Sequence, residues 1–206
     1  MLQIYGATDR GMVREANEDR FAGEVFDRWC GYAVVCDGMG GEIGGGIAAG
    51  IAAEEVRRMV ESSLRPHMEE RSLRLLLETA VAGANRAVYT RSEQNGGALR
   101  GMGSTLCAAV ISDGTALVAN VGDSRCYLIG ENGIRQISRD HSVVENMVEK
   151  GDITPQEARR HPSRNLITRA LGPDIQAQAD TFSVPWKQGD FILLCTDGLV
   201  NTVSDQ

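Results

Sequence analysis

The chain has 206 residues, of which 42% are hydrophobic, and a formal net charge of −7. That length fits one domain, residues 1–206, with a core of its own. No window reaches the roughly 18 apolar residues of a membrane span, the opening MLQIYGATDRG lacks the basic-then-apolar pattern of a secretory leader, and the acidic balance disfavours nucleic-acid binding, which relies on basic surface.

In chain order, LQIYGAT alternates and reads as a strand. RFAGEVF and GYAVVCDG read as the next two strands, the second with the continuous apolar run of a buried one. DGMGGEIGGG is too rich in glycine for regular structure, and a helical pattern starts at IAAGIAAEEVRRMV. Leu73, Leu76, Leu77, Ala80, Val81, Ala84 and Val88 then mark one apolar stripe, about four helical turns long, that should lie on a sheet. STLCAAVIS, TALVANV, CYLIG and IRQIS follow as an antiparallel meander, one sheet of a sandwich. Its turns are Asp113-Gly114 and Asn132-Gly133, both suited to a type I′ hairpin because two successive residues there need φ > 0. The stretch from Arg139 to about residue 165 is polar and helical and reads as a flap inserted between strands, with a capping box at Thr154-Pro155-Gln156-Glu157. ADTFSVP and DFILLCTDG return to strand. The fold class is α/β (α+β): a β-sandwich of two antiparallel sheets flanked by helices.

Acidic residues recur where apolar strands end. VREANEDRF holds Arg14, Glu18 and Asp19; VVCDGMGG holds Asp37; VGDSR holds Asp123; LLCTDGL holds Asp197. Taken singly, the first is a charged loop and each Asp-Gly an ordinary turn. Together they can converge on one edge of a sandwich, where carboxylates would repel unless cations lay between them. Oxygen ligands without His or Cys select Mg²⁺ or Mn²⁺ over zinc. Two such ions about 4 Å apart can acidify a bridging water for in-line attack on phosphorus. Arg14 is the candidate to hold phosphate oxygens bidentately. The five cysteines lack a CxxC pair and read as buried hydrophobes in a reducing, cytoplasmic setting.

TDRGMVREANED, DGMGG, GSTLCAAVI, VGDSR, RDHSVVENMVEKGDIT, NLITRALG and LLCTDGL stand in the order found in bacterial PPM-family metal-dependent protein serine/threonine phosphatases, which the chain resembles from Thr8 to Leu199. The resemblance implies hydrolysis of phosphoserine and phosphothreonine by a metal-activated water, without a phosphoenzyme, using two to three Mn²⁺ or Mg²⁺ ions. It makes Asp37 the bridging ligand and Gly38 a carbonyl ligand. Glu18 falls in the second-metal shell, often through water, Asp19 matches the family's water-holding aspartate, Asp197 falls on the first metal, Asp123 with Asp197 on a third, and Arg14 on substrate phosphate. It implies phosphorylated proteins as partners, substrates of Hanks-type serine/threonine kinases, and a monomer.

The sequence departs from that pattern in places. Met39 and Glu42 stand where some members carry histidine, so no general acid is named and a metal-bound water is expected in that role. His141 and His161 match flap positions expected to be structural, and His67 reads as a surface residue. The resemblance also implies a further stretch with a GGxDN motif, whose aspartate is another first-metal ligand. The sequence stops before it, so the first metal is expected to be held more weakly. The rival expectation is a catalytically impaired phosphoprotein-binding or regulatory module.

Overall fold

The computed structural model describes residues 1–94 and 98–203, with the side chains of Glu42 and Ile43 outside that set. Strand β1 (Arg20–Val25) pairs with β2 (Cys30–Cys36), and β3 (Gly38–Met39) leads into helix α1 (Gly41–Ser63). Helix α2 (Glu70–Glu93) returns along α1 to β4 (Gly103–Ser104), β5 (Leu106–Ser112) and β6 (Thr115–Val121). Then come β7 (Arg125–Gly130), β8 (Gly133–Gln136), α3 (Val143–Lys150), α4 (Pro155–Ala158), β9 (Asp180–Pro185), β10 (Phe191–Cys195) and α5 (Asp197–Val200). A five-stranded sheet has the order β1-β2-β5-β6-β9 and a three-stranded sheet the order β10-β7-β8, all pairs antiparallel. The expected sandwich is present. No helix among the described residues is long and apolar enough to cross a membrane.

The larger sheet has a core on each face, because successive side chains of a strand point opposite ways. On β5, Leu106, Ala108 and Val110 join the cluster under α1 and α2, while Cys107, Ala109 and Ile111 join the cluster between the sheets. β6 divides likewise, with Leu117, Ala119 and Val121 on the helix side and Ala116 and Val118 on the other. This two-sided burial explains the unbroken apolar runs. The α2 stripe (Leu73, Leu77, Ala80, Val81, Ala84, Val88) lies in the helix-side cluster, with Ala48, Ala49, Ala52 and Ala53 of α1.

Four expectations need correction. Residues 2–8 form no strand. The Leu2 N–H donates to the Arg28 carbonyl at 2.9 Å, but beyond that the segment is held by side chains. Leu2 enters the inter-sheet cluster, and Gly6 sits so close to the Phe21 ring that a Cβ would meet it at 2.2 Å. The glycine-rich segment is regular: β3 and the first turns of α1 contain it. The meander splits between sheets at Gly122 (φ 102°), so β7 and β8 join β10 rather than β6. The Asp113-Gly114 turn does carry two positive φ angles, 47° and 81°, but in the β7–β8 hairpin Gly133 alone does, at 92°. With Gly130 opposite Gly133, that turn centres on Glu131 and Asn132 with a left-handed glycine after it, the type I plus bulge arrangement.

In the flap, Ser142 caps α3 by accepting the Glu145 N–H, and Gly151 closes it in the left-handed conformation. The Thr154–Glu157 capping box is formed. A bridge between Ser142 and Ile167 folds the flap's return limb against its start.

Candidate active site

Asp37 leaves β2 where a hydroxyl-rich corner receives it. Its N–H donates to Thr105 Oγ1 at 3.0 Å. Its carbonyl accepts the Thr105 N–H at 2.8 Å and the Ser104 hydroxyl at 3.1 Å. Thr105 Oγ1 lies 2.6 Å from Ser124 Oγ, which ties the β6–β7 corner to the same point. With its main chain fully engaged, Asp37 offers the cleft its carboxyl group. Behind it, β3 and α1 meet backbone to backbone. A Cβ on Gly38 would lie 2.1 Å from the Gly45 carbonyl oxygen, and one on Gly45 would lie 2.4 Å from Glu18 Oε1. Glycine is required there by close approach, not by backbone angle.

Three further segments bring their acids to the same place. Asp19, half-buried at the start of β1, accepts the Thr196 hydroxyl at 2.8 Å, which links that strand to the end of β10. Asp123 follows Gly122, whose missing Cβ would strike Thr105 at 2.7 Å. Asp197 opens α5 and accepts from Asn201 Nδ2 at 3.0 Å. Arg14, Glu18, Asp37, Gly38, Asp123 and Asp197 all line one cleft of about 880 Å³, walled by Asn165 and Ile167 of the flap. Asp19 lies outside the lining. Arg14 stands at the rim, its side chain 77% exposed, with a long 3.9 Å contact to Glu18.

The cluster is electrostatically strained. Burial, and then the charges of Asp19, Asp197 and Asp123, push the Asp37 carboxyl up to about 8. Burial, and then Asp197 and Asp140, push Asp123 up to about 6. Burial also raises Asp19. Glu18 Oε1 is buried without a hydrogen-bond partner. An orphaned carboxylate oxygen beside acids that resist ionisation fits bound cations, and an all-oxygen donor set fits Mg²⁺ or Mn²⁺. Among the described residues, no three acidic, histidine or cysteine side chains close around one ion. Each cation would therefore rest on a few protein oxygens and complete its shell with water.

Sequence reasoning did not single out Ser104, Thr105, Ser124 and Thr196, or the flap residues Asn165 and Ile167. Hydroxyls beside the motif aspartates in GDS and CTD were the available signal for Ser124 and Thr196, whereas Ser104 and Thr105 stand beside no acid in the sequence. Met39 lines the cleft, and Glu42 lies in the first turn of α1 with its side chain outside the described set. His141 is buried, and His67 is exposed beside Asp113.

The sequence matches the family described as Protein phosphatase 2C over residues 12–206. It is 38% identical over 201 residues to the serine/threonine phosphatase stp of Listeria welshimeri, covering 96% of this chain and 78% of that one. The crystal structure of serine/threonine phosphatase Stp1 from Staphylococcus aureus superposes with a TM-score of 0.88 at 35% identity, covering 97% of this chain and 77% of that one. The catalytic domain of the serine/threonine protein phosphatase PstP, in complex with two manganese ions, superposes with a TM-score of 0.82 at 32% identity, covering 96% and 78%.

Proposed function

The chain belongs to the protein phosphatase 2C family, and from that premise we propose that it removes phosphate from phosphoserine and phosphothreonine in proteins, in a reaction dependent on manganese or magnesium. The observation that carries this reading is the convergence of Glu18, Asp37, Asp123 and Asp197, from separate chain segments, on one cleft with Arg14 at its rim. Cations bound there supply an acidified water and positive charge for the phosphate oxygens. Asp37, held through both its main-chain N–H and its carbonyl, would be the shared ligand, with the Gly38 carbonyl beside it. Asp197 would hold one ion, Glu18 and Asp19 would hold another through water, and Asp123 with Asp197 would offer a third position. Arg14 swings from its weak contact with Glu18 to grip the phosphate. All five cysteines are buried, so none is placed for thiol attack, which agrees with single-step hydrolysis.

Its substrates on this reading are proteins phosphorylated by bacterial serine/threonine kinases, and it works as a cytoplasmic monomer. Reduced, buried thiols agree with that compartment. The test is phosphopeptide hydrolysis by the 206-residue chain, titrated with Mn²⁺ and run beside Asp37→Asn. Metal-dependent turnover that the substitution abolishes is expected. Phosphopeptide binding without turnover at any Mn²⁺ concentration would replace the enzyme with a binding module.

A further inference from the structure

We infer that His141, in one fixed tautomer, is a positioning residue that holds the Gly122–Asp123 turn and ties the flap to it. The inference rests on reading Asp123 as a metal ligand. Gly122 is held through both of its main-chain polar groups: its N–H donates to His141 Nδ1 at 3.1 Å, and its carbonyl accepts the His141 main-chain N–H at 2.9 Å. Asn120 Nδ2 donates to the same carbonyl at 3.1 Å and to the Arg139 carbonyl at 2.9 Å. Because Nδ1 accepts, the ring proton belongs on Nε2, which lies 3.1 Å from Asp180 Oδ2 at the start of β9. Arg169 donates to Asp180 Oδ1 at 2.7 Å. Its 3.2 Å approach to His141 Nε2 is thus two donors sharing one carboxylate.

The charged groups around the ring are Asp180, Arg169 and Arg139. The side chain is 3% exposed, and burial lowers its affinity for a proton, in keeping with a neutral ring. A protonated ring would set an Nδ1 donor against the Gly122 donor.

The limb that leaves the flap joins this assembly twice. The Thr168 N–H donates to the His141 carbonyl at 2.7 Å, and Arg169 shares Asp180 with the ring. The residue before His141 completes a bracket. Asp140 takes Arg125 Nε and Nη2 at 2.9 and 2.6 Å, two residues beyond Asp123. Two adjacent residues, Asp140 and His141, therefore hold the chain on either side of Asp123.

The test uses the 206-residue protein with His141→Asn and His141→Gln. Asparagine keeps an acceptor near the Nδ1 position, whereas glutamine keeps a donor near Nε2 and loses the Gly122 contact. Nitrogen-15 NMR of the wild-type imidazole is expected to report a neutral ring protonated on Nε2. In His141→Gln, Mn²⁺ affinity by calorimetry is expected to fall about 10-fold, in the range seen when partners that orient metal ligands are removed. Protection of the Gly122 amide from exchange should fall with it. His141→Asn should recover most of both. A ring protonated on Nδ1 or charged at pH 7 overturns the inference. So does equal Gly122 protection in the glutamine variant and wild type, or an asparagine variant no better than glutamine. If glutamine prevents folding, the wild-type tautomer and Gly122 protection in the asparagine variant decide. Loss of phosphopeptide turnover in wild type, with the tautomer and Gly122 protection as expected, would defeat the phosphatase reading and leave the positioning role standing.

Discussion

Replacing Thr105 by valine keeps its shape but removes the oxygen that accepts the Asp37 N–H and meets Ser124. A buried donor left unmatched costs roughly 1–3 kcal/mol. Thr105→Val should therefore lower the unfolding free energy by that amount, read as an earlier midpoint in a denaturant melt, and weaken Mn²⁺ binding by loosening the Asp37 main chain. Arg14 is a different case: exposed and loosely held, it contributes little to stability. Arg14→Ala should raise KM for a phosphoprotein substrate about tenfold or more, the scale of one lost charge-assisted contact, with an unchanged melting temperature. An unchanged KM would make Arg14 an ordinary surface residue. Asp37 gives a pH signature. Its carboxyl in the folded, metal-free protein is pushed up to about 8, above the ordinary carboxylate value near 4. The native state therefore holds the proton more tightly than the unfolded chain. That contribution is fully present below about pH 4 and is lost as pH rises toward 8. In EDTA the protein should melt lower at pH 8 than at pH 5.5, Asp37→Asn should flatten the difference, and Mn²⁺ should reverse it. A metal-free protein that melts higher at pH 8 would contradict the crowding of these acids.

At the level of elements, the start of α1 shows how a helix can require glycine. Alanine is favoured over glycine inside a helix by about 1 kcal/mol. Gly50 has open space around it, and Gly50→Ala should be neutral or stabilise by about 0.4–1 kcal/mol. Gly45 lies in the same helix, but its Cβ would meet Glu18 Oε1 at 2.4 Å and Gly38 C at 2.8 Å. Gly45→Ala should destabilise by about 1–3 kcal/mol through overpacking and displace Glu18. Paired thermal melts of the two variants check the opposite signs. This contrast also marks where the sequence was legible. β2, β5, β6 and α2 were readable because their periods or apolar runs record burial directly. Gly44 and Gly45 were not, since glycine counts report propensity and the partners a Cβ would meet, Met102 and Glu18, belong to other segments. Asp37, Asp123 and Asp197 announced themselves by following apolar strands. Thr105, Ser124 and Thr196 resemble ordinary strand-end polar residues until the fold puts Thr105 against Asp37, Ser124 against Thr105, and Thr196 against Asp19. The split of the meander was hidden because each hairpin is locally complete, and the corner at Gly122 depends on its collision with Thr105.

For the molecule as a whole, the cleft joins the ends of both sheets: Asp37 follows β2, Asp123 lies between β6 and β7, and Asp197 follows β10. Cations bound there would fasten one sheet to the other. Free Mn²⁺ at 100 times its Kd should add about 2.7 kcal/mol to global stability, read as a concentration-dependent rise in melting temperature that Asp37→Asn loses. A melting temperature indifferent to Mn²⁺ would mean that the carboxylates bind no ion in the folded state. The two cores have another effect, on how the chain can go wrong. Apart from Asn120 and Ser112, the buried side chains of β5 and β6 are apolar on both faces, so sliding one strand past the other by a single residue exchanges the two faces at little hydrophobic cost. Hydrophobic burial is a poor judge between the native pairing and its neighbour. The judge is the Asp113-Gly114 loop, where two consecutive positive φ angles fix Ser112 opposite Thr115. Damage to that loop, on the rim away from the acids, would therefore yield a compact protein with a well-filled interior and a misaligned corner at Asp123. Such a species would escape quality control that recognises exposed apolar surface, and would persist in the cell as inert protein.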